Sequence, residues 1–82
     1  MHSIKIKSPF FTTNLHVRKS IVQQNIIEIT AFIFSPDHKQ LNYFQKDEIR
    51  LLKKKEVDLL HHIESEIKKT EQLAFRFGLP LL

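Results

Sequence analysis

The chain has 82 residues, 41% hydrophobic and 27% charged, with seven Phe, one Gly and neither Cys nor Trp. That length holds a single domain, residues 1–82, with no room for a separate cofactor module; the lack of Cys removes disulfide staples and thiolate metal sites. Thirteen Lys and Arg against nine Asp and Glu leave a net charge of +4, an excess that suits nucleic acid or an acidic protein but demands neither.

The first half, residues 1–45, reads as β-rich. Met1 to Lys7 alternates apolar and polar residues and lacks the apolar stretch of a signal peptide. Ile4 and Ile6 alternate with Lys5 and Lys7, and Leu15 and Val17 with His16 and Arg18, the period-two pattern of a half-buried strand. Ile26, Ile27, Ile29, Thr30, Phe32, Ile33 and Phe34 are β-branched or aromatic, which favours a pleated surface. Pro9 and Asn14 mark a first connection and Gln23-Gln24-Asn25 a second. The run from Ile26 to Phe34 is broken by Glu28 and Thr30 and falls far short of the roughly 20 residues a membrane span needs. The expected location is therefore the cytoplasm, with no membrane partner.

Ser35-Pro36-Asp37-His38-Lys39 follows. Ser35 and Pro36 could cap and open a helix, and the same residues suit a type I turn. The stretch Phe34 to Lys39 is similar to the Phe-Ser-Pro-Asp-Gly-Lys turn that joins strands in β-propeller blades, with His38 where that turn has Gly. The resemblance implies a β-hairpin, with a fourth strand over Gln40 to Phe44.

From Asp47 the period becomes helical. Asp47 is the expected N-cap, with Glu48 in the first turn. Ile49, Leu52, Leu59, Leu60, Ile63, Ile67, Ala74 and Phe77 follow at three- and four-residue steps, with Gly78 and Pro80 suited to closing the helix. Residues 46–78 thus form a long amphipathic helix and residues 79–82 an apolar tail. Asp47 to Phe77 would make a rod of about 46 Å, longer than a small sheet. Glu56 lies on the apolar stripe and marks the place for a break near Lys53-Lys54-Lys55, but no turn residue is present and an unbroken helix is expected.

The candidate sites are surfaces. Stripe residues Ile49, Leu52, Leu59, Ile63 and Ile67 overhang the sheet and are candidates for self-association. Lys46 to Lys55 carries five positive charges against two negative, and Glu56 to Glu66 carries four negative ones with no Lys or Arg, so antiparallel pairing of two copies would match charge. In the tail, Phe75, Phe77, Leu79 and Leu81 are candidates for insertion into a partner or the core. Lys5, Lys7, Arg18, Lys19, Lys53, Lys54 and Lys55 are candidates for phosphate contacts, with Phe10 and Phe11 as a stacking platform.

Asp58, His62 and Glu66 line one side of the helix at four-residue spacing. They need a further ligand to close a metal site and read as a solvated face, so no metal or cofactor is expected. No nucleophile motif or phosphate-cradling Gly loop occurs. A metal-free nuclease could draw on His16 or His38 with Arg18 and Lys39.

The expected fold is α+β: a small antiparallel sheet of three to four strands followed by one long C-terminal helix. The expected function is a non-enzymatic protein-interaction or regulatory module. It would form a homodimer through its helix and bind another protein. The alternative is a nucleic-acid-binding protein, and a third reading is a small toxin-like enzyme.

Overall fold

The computed structural model describes residues 4–76. It is a helical hairpin. A turn of 3-10 helix at Pro9–Phe11 precedes α1, Leu15–Ile33; a short α2, Pro36–Lys39, forms the bend; and α3, Tyr43–Arg76, returns along α1. No strand occurs among the described residues, which overturns the α+β expectation and its sheet.

The residues expected to form the second and third strands are α1. Asn14 caps it, its Oδ1 accepting from the backbone N–H of His16 at 3.0 Å and of Val17 at 3.2 Å. The buried residues Val22, Asn25, Ile29 and Phe32 recur at steps of three, four and three, one face of a helix. Intrinsic helix propensity disfavours Ile26, Ile27, Ile29, Thr30 and Ile33 by a few tenths of a kcal/mol each, about 2 kcal/mol in all. Burying Val22, Ile29 and Phe32 contributes about 1.5–3 kcal/mol apiece, so packing wins. Gln23-Gln24-Asn25, expected as a connection, lies in the middle of this helix without Gly or Pro to stop it.

The Ser-Pro-Asp-His-Lys stretch joins two helices, not two strands. Ser35 precedes Pro36, the first residue of α2, but its hydroxyl donates back to the Phe32 carbonyl at 2.6 Å and so helps end α1. The expected strand at Gln40 to Phe44 is instead a bend and the opening of α3. There the Asn42 Oδ1 accepts from the Gln45 N–H at 2.8 Å and the Gln45 Oε1 accepts from the Asn42 N–H at 3.0 Å. This reciprocal pair is a capping box, and it starts the helix ahead of Asp47. Asp47 instead bonds Arg50 one turn on, at 2.7 Å.

α3 has 34 residues and runs unbroken through Lys53 to Glu56. It spans about 51 Å at 1.5 Å per residue and sets the long dimension of a molecule measuring 55 × 18 × 18 Å. α1, with 19 residues, covers little more than half of it. The core is correspondingly thin: Val22, Ile29 and Phe32 from α1 and Ile63 from α3 are the buried hydrophobic residues among those described.

Residues 4–8 are no strand either. They fold back beside α1, where the Asn25 side chain accepts from the Lys7 N–H at 3.0 Å and donates to the Lys7 carbonyl at 2.9 Å. A side chain thus stands where a neighbouring strand would. Pro9, next in the chain, is buried.

Candidate interaction surface

Among the described residues, the exposed large apolar residues outnumber the buried ones. Phe34, Tyr43 and Phe44, at the bend of the hairpin, are 81%, 78% and 75% exposed. The Tyr43 and Phe44 rings meet edge to face with centroids 6.0 Å apart. Phe10 and Phe11 are exposed beside the start of α1, and Ile27, Leu51 and Leu73 stand out along the helices. α1 is apolar on both sides: Val22, Ile29 and Phe32 face inward, while Ile27, Ala31 and Phe34, at steps of four and three, share its outer face. A helix apolar all round is normally covered all round.

The stripe expected to drive self-association is turned largely to α1. Ile63 is 3% exposed in the shared core, and Ile49, Leu52, Leu59 and Ile67 are half-buried. Among the exposed apolar residues of α3, Phe44 and Leu51 are seven residues apart on one face, both in the first half of the helix, ahead of the acidic run from Glu56 to Glu66. For the tail candidates, the side chain of Phe75 and all of Phe77, Leu79 and Leu81 lie outside the described residues, as do Gly78 and Pro80.

The basic candidates do not converge. Arg18 is half-buried; its Nε donates to the Thr12 carbonyl at 2.6 Å and its guanidinium lies over the Phe10 ring. Lys5, Lys7, Lys54 and Lys55 are exposed, while Lys19 and Lys53 are half-buried. Lys53, Lys54 and Lys55 are consecutive on a helix and point about 100° apart, so they share no face.

His62 Nε2 lies 3.0 Å from Glu66 Oε1, an exposed contact one turn apart, with Asp58 also exposed. Among the described residues no group of three His, Cys, Asp or Glu is placed to hold a metal ion. His16, at the start of α1, and His38, in α2 where it meets the Phe32 ring edge-on, stand at opposite ends of α1. None of the described helices is long and apolar enough to cross a membrane.

Sequence reasoning missed one polar cluster. Asn25 and Glu56 are 2% and 6% exposed, and Asn25 Nδ2 approaches Glu56 Oε1 at 3.5 Å. Glu56, which marks where a break in the helix would fall, is the inward partner of Asn25. The signal was there: each residue is the one polar interruption of an apolar stripe, and two such interruptions on paired helices can satisfy one another.

No family model, no curated protein and no solved structure matches this chain.

Proposed function

We propose that this protein is a non-enzymatic interaction module, a helical hairpin that self-associates along α3 and uses its exposed aromatic bend to hold a further protein. The observation that carries this reading is the imbalance of its surface. The chain exposes 6616 Å², whereas a compact monomer of this mass exposes about 5,200 Å². The difference exceeds the roughly 800 Å² that each partner buries in a standard interface. Of the large apolar residues exposed among those described, Phe10, Phe11, Phe34, Tyr43 and Phe44 are aromatic, the residue class that anchors interfaces.

The segregated charge of α3 favours an antiparallel pair, each basic first half lying against the other's acidic second half. Leu51, exposed on that basic first half, supplies an apolar part of that contact. The half-buried stripe residues Ile49, Leu52, Leu59 and Ile67 contribute their exposed edges.

Size-exclusion chromatography with light scattering tests this, with absorbance recorded at 260 and 280 nm. The expected result is a dimer that persists in high salt and becomes monomeric in Leu51→Glu. A monomer at every concentration would sink the self-association reading. Co-eluting material absorbing at 260 nm and released by salt would point to nucleic acid instead.

A further inference from the structure

The strap of residues 4–8 and the groove beneath it form a site separate from the outward faces. Asn25 reaches both backbone groups of Lys7 and neither end of its side chain. A side-chain amide used in this way recognises extended backbone, whatever residue carries it, except proline, which has no N–H to give. Beside it Glu56 is buried with Oε1 toward Asn25, and its Oε2 has no hydrogen-bond partner. A buried carboxylate oxygen without a donor is costly, and a Lys or Arg side chain would be its strongest donor. The strap does not supply one: Lys5 and Lys7 are both exposed.

We infer that the α1–α3 groove is a binding site for an extended peptide segment of a partner protein, clamped at its backbone by Asn25 and carrying a basic side chain for Glu56. Residues 4–8 are the resident cover that such a segment displaces. For the N–H and C=O of one residue to face the same amide, its backbone must be extended, and side chains then alternate between sides. Lys7 and its neighbours Ile6 and Ser8 are all exposed in the cover, so none of them gives Glu56 a donor, and position 8, next to the clamped residue, is where a longer basic side chain is offered to it. A tethered cover competes at an effective concentration on the order of millimolar. The charge-assisted bond to Glu56 is what lets an untethered segment win.

Fluorescence polarisation with the full-length chain carrying Lys7→Pro tests this, since that change removes the N–H that Asn25 accepts and loosens the cover. The probes are two labelled peptides, residues 4–11 of this chain and the same peptide with Ser8→Lys. The Ser8→Lys probe is expected to bind about tenfold more tightly. Adding Glu56→Gln to the chain abolishes that preference, and Asn25→Leu weakens both probes about tenfold or more. A Lys7→Pro chain that stays helical by circular dichroism yet binds neither probe at millimolar concentration overturns the inference, as does a preference that survives Glu56→Gln. Should Lys7→Pro lose its helicity, the unaltered chain is titrated with the Ser8→Lys probe and the Asn25 side-chain amide followed by NMR. A saturable shift supports the site, and no shift up to millimolar probe overturns it.

Discussion

The Arg18 guanidinium stands 5.3 Å from the centroid of the Phe10 ring while its Nε holds the Thr12 carbonyl. One side chain of α1 therefore braces the 3-10 turn and the link that follows it. A cation over an aromatic face contributes about 0.5–1 kcal/mol at an exposed site, and a hydrogen bond from a charged donor about as much again. Arg18→Ala should lower stability by about 1–2 kcal/mol, read as a shifted urea midpoint, while Lys19→Ala should stay within about 0.5 kcal/mol. Equal effects of the two would mean that Arg18 is no brace.

Ile27 and Ile29 separate the helix from the strand that the sequence suggests. On a strand the two would share a face and respond alike. On α1, Ile29 is fully buried and Ile27 is 59% exposed. Ile29→Ala should cost about 2–4 kcal/mol, whereas Ile27→Ala should cost under about 0.5 kcal/mol. Thermal melts followed by circular dichroism would show whether the two melting temperatures part.

At the start of α3 the cap is Asn42, so Asn42→Ala should destabilise by about 1 kcal/mol. Asp47→Ala removes only an exposed ion pair with Arg50 and should cost about 0.5 kcal/mol or less. The opposite order in chemical denaturation would move the helix start back to Asp47.

Asn25→Ala leaves the Lys7 backbone groups and Glu56 without their shared partner, at a cost of about 1–3 kcal/mol. Amide hydrogen exchange reads the strap directly. The Lys7 N–H should exchange slowly in the parent chain and at the rate of an open segment in Asn25→Ala. Unchanged protection would show that something other than Asn25 holds it.

What could be read in advance divides along the chain. The spacing of Ile49, Leu52, Leu59 and Ile63 lies within α3 because a long amphipathic period admits few alternatives. The cap of that helix is misplaced because Asn42 lies inside the strand expected over Gln40 to Phe44, with Gln45 just past its end. In α1 the β-branched composition points to a sheet, and the helical spacing of Val22, Asn25, Ile29 and Phe32 shows only in the structure. That spacing was hidden by Asn25, a polar residue whose place on an apolar face makes sense only once Glu56 is opposite it. The basic residues misled for a related reason. Composition counts Arg18 as surface charge, although its contacts are local and structural. The candidate stripe and the exposed aromatics were nameable from sequence, but which of them face α1 depends on a pairing between helices 31 residues apart in the Asn25–Glu56 contact.

Phe10 and Phe11 stand at one end of α1 and Phe34 at the other, with Tyr43 and Phe44 beside the bend. The 19 residues between those ends amount to about 28 Å of helix. Two exposed aromatic clusters so far apart on a stiff rod cannot cover each other within one molecule. If unlike poles join head to tail, each joint leaves a fresh pole free, and growth continues as a fibre without closing. A side-by-side antiparallel pair instead brings each pole of one copy toward the unlike pole of the other, and growth stops at two. Which aromatic group meets which therefore decides between a bounded particle and an endless one.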